Sequence, residues 1–511
     1  DDATLEQMLQ QLQAAGLLQC AVRGVFNFRH ALMRDAAYLS LTRAEREAVH
    51  RRIANALETG GSKVRPELLA QHRAAGGEIR QAVACWIDAG KLASQHSASS
   101  EAVTHFRSGL TLLQSLAPGP DRDRQELILQ IGLGSAATSA QGYASAQGAQ
   151  AYARAMTLAS RHESDPAMFP AIWGLWASAS SRAGYAAALD LAQQLLRMAS
   201  QSGDPVEKEQ GHFAVANTLY WQGEFVTALE HLERARELYQ PDQQTRHIAD
   251  FGEDAGVTSK SYTSWVLWFL GFPEQALKAS AQALALARQI GHPFSLAYAL
   301  IFAAILNCRL RRPEASLALA QEALNLASRH GFPLWLIGAT LARGWADAMQ
   351  GQRQSVESMQ QCVEATREAM GGVTLVVLEP LVEAYAVLGR FDTALSVSGE
   401  AFALGDEIGD HHIEAELHRL KGESLLGLAD SNDEAAEACF YQALTVSRRQ
   451  QAKSLELRAA MSLARLWQRQ GKRDEAQRLL EEVYYWFTEG FDTPDLLKAR
   501  ELLDSLVGIT S

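Results

Sequence analysis

The chain has 511 residues, more than one ordinary globular core holds and enough for several domains or one extended array. Its 47% hydrophobic and 21% charged residues are ordinary for soluble proteins, and no apolar run reaches about 18 residues, so we predict no membrane-spanning helix and no membrane partner. The net charge of −12 argues against a general nucleic-acid binder, because a long acidic surface repels phosphates.

The N-terminal stretch DDATLEQMLQ has neither the basic nor the apolar region of a secretory signal. It also lacks an initiator methionine, which favours a fragment of a longer polypeptide. The five cysteines are odd in number and widely spaced, and no C-x-x-C occurs. That pattern is typical of reduced thiols rather than of disulfides or a zinc site, so we expect a cytoplasmic protein.

Residues 1–65 differ from the rest of the chain, with nine Lys/Arg against seven Asp/Glu. The stretch LEQMLQQLQAAGLL (5–18) has helical periodicity, and VFNFRH (25–30) alternates like a short strand. ALMRDAAYLSL and AEREAVHRRIANALE then have helical patterns. The order helix, strand, helix predicts the tail of a winged-helix domain in 1–65, followed by a separate array in 66–511.

A repeated pattern runs through the rest of the chain. FPEQALKASAQALALARQIGHPF (272–294) returns forty residues later as RPEASLALAQEALNLASRHGFPL (312–334). Each copy places three small residues at i, i+4 and i+7, on one helix face. Ten triplets with this spacing occur, nine of which begin with Ala, Gly or Ser, and their third members are 46, 40, 40, 48, 40, 40, 38, 42 and 40 residues apart. They are Ala102/Phe106/Gly109, Gly148/Tyr152/Ala155, Ala188/Ala192/Leu195, Ala228/Leu232/Ala235, Ala276/Ser280/Ala283, Ser316/Ala320/Ala323, Val356/Gln360/Val363, Ala394/Ser398/Ala401, Ala436/Phe440/Ala443 and Ala476/Leu480/Val483.

Each unit of about 40 residues accommodates two helices of about 16 residues joined by short turns. Gly291, Gly331 and Gly371 fall at predicted helix C-termini, where a left-handed cap favours glycine. Pro293 and Pro333 follow two positions after the first two of these glycines. The sequence therefore predicts an all-α fold: an α-solenoid of about ten long helix pairs with a small N-terminal winged-helix remnant.

The triplet resembles the second helix of the tetratricopeptide repeat, which carries Ala, an aromatic residue and Ala at this spacing. Phe106, Tyr152 and Phe440 supply the aromatic ring here. The standard unit has about 34 residues, and units near 40 resemble the long-helix variety at the C-termini of large bacterial signalling ATPases. The resemblance covers roughly 80–506. It implies a curved superhelix with an open concave face.

The string FNFRHALMRDAAYLSL resembles a segment of STAND-type ATPases, including those joined to class III nucleotide cyclases. AELHRLKGESLL (415–426), SLELRAAMSLARLWQRQGKRDEA (454–476) and YYWFTEGFDTPDLLKARELLDSL (484–506) are similar to the closing repeats of such proteins. The resemblance implies an upstream ATPase domain in cis that uses ATP or ADP, with no cofactor in this region itself.

In that family a histidine in this place senses the β-phosphate of ADP, so His30 is the candidate cofactor-binding residue. The family's Met-His-Asp is Arg29-His30-Ala31 here. The alternative is that His30 packs or caps locally.

No catalytic motif is present: the phosphate loop G-x-x-x-x-G-K-[ST], H-E-x-x-H, G-x-S-x-G and G-x-G-x-x-G are all missing from the sequence. We therefore predict a region without enzymatic activity. The stretch HHIEAELH (411–418) brings His411, Glu414 and His418 within helical reach of one another, a spacing that suits a metal. A solvated helix start explains the same residues, and we predict no metal site.

Seven of the ten tryptophans fall between residues 173 and 345. In tetratricopeptide arrays the concave surface is lined by first-helix positions about 15, 11 and 8 residues before the second helix's first small residue. Aromatic rings there supply the large contact area typical of binding hot spots. If the longer helices shift the register, the same rings belong to the core instead. The predicted partner-binding residues are Trp173, Phe213, Asn217, Tyr220, Trp265, Trp268, Trp345, Glu379 and Glu383.

These features predict a sensor and scaffold that binds a protein, peptide or small molecule on the concave face. Binding would bias the ATPase between closed and open states, which requires different affinities for the two. One alternative is a free-standing interaction scaffold. Another is a transcription regulator that places the arginines of residues 1–65 on DNA, although Asp35, Glu45 and Glu47 lie among them. Those arginines are Arg23, Arg29, Arg34, Arg43, Arg46, Arg51 and Arg52.

Overall fold

A computed structural model shows the all-α fold that the repeat pattern predicts, and the residues it describes also form a short hairpin. It describes residues 2–22, 25–59, 64–161, 167–181, 184–370, 375–429 and 432–507. The chain divides into two compact units, Asp1–Ala89 with Ser108–Gln125, and Gly90–Arg107 with Glu126–Ser511. The boundary expected at residue 65 stays a prediction.

The first unit begins with a helix and an antiparallel hairpin. Strand pairing places Leu18 opposite Phe28. Thr42 and Glu45 then form a capping box: the Glu45 carboxylate accepts the Thr42 N–H at 2.8 Å, and the Glu45 N–H donates to the Thr42 hydroxyl at 3.3 Å. The predicted strand at 25–30 is present, paired with a second strand that the sequence pattern missed. The elements are α1 (Asp2–Ala14), β1 (Leu18–Val22), β2 (Val25–Phe28), α2 (Ala31–Ser40), α3 (Arg43–Thr59) and α4 (Pro66–Ala75).

The rest of the described chain is a succession of helices that pack pairwise. First helices of neighbouring pairs also contact one another, as α14 does with α16 and α16 with α18, so the pairs stack into a solenoid. The helices are α5 (Ile79–Gln95), α6 (Ser99–Leu113), α7 (Pro120–Gln141), α8 (Ala146–Ala159), α9 (Met168–Ser181), α10 (Tyr185–Ser202), α11 (Pro205–Trp221), α12 (Phe225–Leu238), α13 (Gln244–Phe251), α14 (Ala255–Phe269), α15 (Pro273–Ile290), α16 (Pro293–Arg309), α17 (Pro313–His330), α18 (Pro333–Met349), α19 (Ser355–Met370), α20 (Leu375–Val387), α21 (Phe391–Ile408), α22 (Glu414–Gly427), α23 (Asp433–Arg449), α24 (Lys453–Arg469), α25 (Arg473–Tyr484) and α26 (Pro494–Val507).

The ten predicted triplets lie on ten different helices, each the second member of a pair. The structure describes all of their residues, and only Gln360 among them is exposed. Aromatic triplet members need glycines opposite them. Phe106 lies between Gly90 and Gly132, where an added Cβ would come within 2.5 Å of its ring. The triplet is therefore the buried face through which each second helix meets its neighbours.

Departures from the 40-residue period have visible causes. The interval of 48 residues holds an additional helix, α13, preceded by a 3-10 turn at Pro241–Gln243. Gly291 and Gly331 cap α15 and α17 with φ of 70° and 68°, as predicted. The third predicted cap, Gly371, lies outside the described residues.

The last helices return to the middle of the array. The Ser454 hydroxyl donates to the Trp268 carbonyl, and the N–H groups of His411 and His412 donate to the Trp221 carbonyl at 2.9 and 3.2 Å. Arg458 donates to the carbonyl of Arg309. We call this set of contacts the closure interface. It places α24 over the ends of α14 and α16.

Candidate functional site

A cavity of about 760 Å³ lies inside the second unit. Its wall comes mainly from the first helices of six successive pairs, because these helices stack side by side along the inner face. Most of the wall is aromatic or aliphatic. Its members include Trp173 and Trp176 of α9, Phe213 and Asn217 of α11, Tyr262 and Trp265 of α14, Tyr298, Ile301, Phe302 and Ile305 of α16, Trp335, Leu341 and Trp345 of α18, and Val377, Glu379 and Glu383 of α20.

The structure brings most of the predicted binding residues together. Those lining the cavity are Trp173, Phe213, Asn217, Trp265, Trp345, Glu379 and Glu383. The aromatic rings among them are buried in the core and also form part of the cavity wall, so the two predicted locations do not exclude each other. Trp173 and Trp345 are 1% exposed, yet both border an open volume. A role in binding stays a prediction.

Tyr220 and Trp268 do not line this cavity. Tyr220 is fully buried, with its ring centre 5.3 Å from that of His412. Trp268 lies beneath the Arg458 guanidinium at 5.0 Å. Both occupy the last turn of their helices, which the closure interface covers. The sequence pattern located the helix face correctly but had no signal for the returning helices.

Several wall indoles are held by hydrogen bonds that fix their orientation. Trp173 Nε1 donates to Gln210 at 2.9 Å, and Trp345 Nε1 donates to Glu383 at 2.7 Å. Trp265 Nε1 donates to the Phe302 carbonyl at 2.9 Å, and its ring stacks on the Phe302 ring at 3.8 Å. Rigid aromatic walls bind ligands with little loss of side-chain entropy.

Sequence reasoning missed the wall residues of α16. The offsets of 15, 11 and 8 counted back from Ser316 reach Ile301, Ile305 and Cys308, and all three line the cavity. The same offsets identify them, but none of the three is an aromatic residue, so the aromatic pattern gave no signal for this pair. No offset points to Arg309 or Arg311, which also lie in the wall. A basic residue in the last turn of a helix ordinarily interacts with the free carbonyl groups of the C-terminus and with solvent.

A buried ion network closes one side of the wall. Arg311 pairs with Glu383 and lies 3.4 Å from Glu416, and Arg458 lies 3.2 Å from Glu416 and 2.8 Å from Asp495. Burial alone raises the pKa of Glu416, but the charges of Arg419, Arg458 and Arg311 outweigh burial and hold this pKa well below its usual range. The network therefore stays charged while shielded from water.

The backbone at Arg311 indicates local strain. Five other turns within pairs have glycine two residues after the first helix, with φ between 74° and 93°. Arg311 takes the same place with φ of 59°, a region costly for a side chain with a Cβ. Such strain often marks functional sites. Ser97 and Gln451, which lie outside the cavity wall, share this conformation with a φ of 54°, so the strain at Arg311 does not by itself indicate a site.

Arg309 differs from its basic neighbours because its charge has no ionic partner. It is 4% exposed and has no acidic partner among the described residues, and its charge opposes the burial-driven rise in the pKa of the neighbouring Tyr220 hydroxyl. The guanidinium instead lies 4.6 Å from the ring centres of Trp265 and Phe269. Cation–π contact of this kind offsets part of the cost of burying the charge.

Two acids in the wall have raised pKa values. Burial raises the pKa of Glu253 to about 8, and that of Glu379 to about 7. The Tyr143 hydroxyl donates to Glu253, and the charge of Arg309 opposes the shift at Glu379. Burial therefore favours the protonated form of both acids relative to an exposed glutamate.

In the first unit, His30 is exposed at the start of α2, and its side chain makes no capping hydrogen bond. Its ADP-sensing role stays a prediction. Arg34 and Arg43 pair with Asp35 and Glu47 at 2.7 and 2.8 Å. Arg23 lies outside the described residues. These pairs reduce the positive charge available to DNA, and the DNA-binding alternative remains untested.

The histidines of HHIEAELH have other partners. His411 lies 3.4 Å from Glu414, whereas the His418 ring packs 4.6 Å from that of Phe402. Across the described ranges, no three His, Cys, Asp or Glu side chains come together in a way that would hold a metal. In the same ranges, none of the helices is long and apolar enough to cross a bilayer.

Comparison with known proteins identifies the fold. No protein-family model matches the chain. An uncharacterized protein of Rhizobium meliloti (strain 1021) is 24% identical over 453 residues, which cover 87% of this chain and 44% of that protein. The chain thus spans less than half the length of this curated relative.

Among solved structures, a Rap protein complexed with competence and sporulation factor superimposes with a TM-score of 0.54 at 14% identity. The match covers 72% of this chain and 98% of that one. The match to the human IFIT1 dimer with PPP-AAAA covers 92% of this chain and 95% of that one at 15% identity, with a TM-score of 0.42. The chain therefore has the fold of tetratricopeptide-like helical repeat proteins.

Proposed function

We propose that the second unit is a sensor without catalytic activity that binds a small molecule in the aromatic cavity. The observation that carries this proposal is the cavity itself: about 760 Å³, walled mostly by apolar side chains with a few polar groups among them. Ligand sites of proteins typically have volumes of roughly 300–1,000 Å³ and this kind of lining.

Burial of the wall favours a small molecule over a protein surface. Trp173, Trp265 and Trp345 are at most 2% exposed, so a folded partner has almost no access to them. The closure interface also covers part of the inner face that an extended partner would need. A molecule of limited size fills the cavity without displacing those helices.

We propose further that binding is transmitted to an ATPase domain in cis, as the resemblance to STAND-type ATPases implies. The closure interface offers a physical route, because Arg309 in the wall is hydrogen bonded through its carbonyl to Arg458 of α24. A ligand that binds the closed arrangement more tightly than an open one would shift the balance between them. His30 remains the candidate nucleotide contact in this scheme.

The proposal is tested with a thermal-shift screen of small metabolites against the wild type and a filled-cavity variant. Ile305→Trp replaces an isoleucine side chain with a bulkier indole ring at a half-buried wall position. Val226→Trp introduces the same ring at an exposed position of α12 and serves as the matched control. Ligands of the cavity should raise the melting temperature of the wild type and of Val226→Trp but not of Ile305→Trp.

A screen without any stabilising compound contradicts the proposal. So does a set of compounds that stabilises Ile305→Trp as much as the wild type, because those compounds bind elsewhere.

A further inference from the structure

We propose that the cavity recognises an amphipathic carboxylate, an apolar or aromatic molecule with one anionic group, and that Arg309 is the side chain that binds the anion. This inference rests on the proposed function and specifies the ligand's chemistry. It begins from Arg309, a buried cation of the wall with no ionic partner among the residues that the structure describes.

The cost of burying Arg309 supports a missing partner. An arginine that is 96% buried ordinarily pairs with an acid, as Arg311 and Arg458 do in the same wall. No described acid lies within ion-pair distance of Arg309, and the Tyr220 hydroxyl, with which its guanidinium interacts, carries no charge to balance it. The faces of Trp265 and Phe269 stabilise the charge but accept no conventional hydrogen bond from the guanidinium. A ligand carboxylate would supply two acceptors in the planar geometry that guanidinium favours.

Other polar atoms of the wall point to the same chemistry. Nε1 of Trp335 and the hydroxyl of Ser180 are buried and make no hydrogen bond with any described residue. The indole nitrogen donates only, and the hydroxyl is able to donate. A wall that presents unpaired donors suits a ligand rich in acceptors.

Glu379 is the acid that opposes this arrangement. It lines the same cavity and interacts with Arg309 electrostatically, although the two do not form an ion pair. An anion bound at Arg309 would be repelled by the ionised form of Glu379. Removing that charge should therefore strengthen anion binding, whereas removing Arg309 should weaken it. Opposite changes in anion affinity in the two variants would identify an electrostatic site, because a site that recognises shape alone does not respond to the sign of the charge removed.

The test compares naphthalene-2-acetate with naphthalene-2-acetamide, which match in shape and differ in charge. Dissociation constants are measured by calorimetry on the intact chain. The wild type should bind the acetate at least tenfold more tightly than the amide. Arg309→Met should abolish that preference, Arg309→Lys should reduce it, and Glu379→Gln should increase it. Melting temperatures establish that each variant folds, and Arg309→Met should melt no lower than the wild type because it removes a buried unpaired charge.

Equal affinity of the wild type for acetate and amide overturns the inference, as does a preference that persists in Arg309→Met. Failure of the acetate to bind at millimolar concentration overturns it as well. If the metabolite screen instead finds neutral ligands that Ile305→Trp excludes, the proposed function stands while the anion site falls. If Arg309→Met unfolds, the Glu379→Gln result decides, because tighter binding of the acetate supports the site and unchanged binding refutes it.

Discussion

The carboxylate of Glu489 accepts a hydrogen bond of 2.9 Å from the main-chain N–H of Glu274, across 215 positions of sequence. The same oxygen accepts the N–H of Gln275 at 3.1 Å, so a residue more than 200 positions later in the sequence caps the N-terminus of α15. Together with the contacts of Ser454 and Arg458, this cap holds the last repeats against the middle ones. The inner face of the solenoid is thereby partly closed.

Arg458→Ala should destabilise the folded chain strongly. The side chain is 6% exposed and lies between Glu416 and Asp495, so its loss leaves the buried carboxylate of Glu416 and the partly buried carboxylate of Asp495 without this partner. Breaking a buried pair in this way costs about 3–5 kcal/mol. Chemical denaturation measures the change. The control is Arg288→Ala, which removes an exposed pair with Glu322 and should cost below about 1 kcal/mol. Equal effects of the two substitutions would show that the buried network is unimportant.

Gly174→Ala should destabilise the array by about 1–3 kcal/mol through overpacking. A Cβ at this position would come within 2.3 Å of the Tyr152 ring, and Gly134 on the other side shows that the ring has no room to retreat. Gly399→Ala is the matched control. It lies within α21 with no atom near an added Cβ, so alanine there should stabilise by roughly 0.5–1 kcal/mol. Thermal unfolding compares the two, and the same sign for both would contradict the packing described here.

Glu253→Gln should change how stability depends on pH. Burial raises the pKa of Glu253 from 4.5 to about 8, so the folded protein holds a proton that the unfolded chain has lost. The contribution of Glu253 to stability is therefore full below about pH 4.5 and is lost as the pH rises towards 8. The glutamine variant lacks this loss. Its stability relative to the wild type should grow between these pH values, by on the order of a few kcal/mol, and then level off.

The quantity to follow with pH is the difference in unfolding free energy between Glu253→Gln and the wild type. Burial lowers the pKa of His212, His247 and His292 to about 4, which makes stability rise with pH over part of the same range. Those contributions cancel when urea unfolding of both proteins is measured at each pH. A difference that stays constant from pH 5 to pH 8.5 would show that Glu253 titrates normally.

Trp265→Ala and Trp268→Ala should each cost about 3–5 kcal/mol of folding free energy, because both rings are nearly fully buried. Alanine at these positions consequently tests folding rather than binding. Tyr485→Ala removes a ring that is 74% exposed and should change stability by less than about 0.5 kcal/mol. Circular dichroism during denaturation distinguishes these cases. If the tryptophan variants were as stable as Tyr485→Ala, the rings would not be part of the core.

The local pattern of the sequence was sufficient to predict the repeat architecture. Ala276, Ser280 and Ala283 recur at a fixed spacing because every second helix meets the same neighbours, and that constraint is written in each unit separately. Offsets along one helix also predicted the inner face, since residues 15 and 11 positions before Ala276 or Val356 share a side of the first helix. Such relationships involve residues that are close in sequence.

Tertiary structure alone decided which part of that face is open. Tyr220 and Trp268 satisfy the same helical offsets as the cavity residues, yet His412 and Arg458 from distant repeats cover them. The unpaired state of Arg309 also depends on which acids the returning helices bring near it. These outcomes follow from the accumulated rotation of many repeats, which brings residues about 200 positions apart into contact. A pattern with a period of about forty residues contains no local signal for contacts at that range.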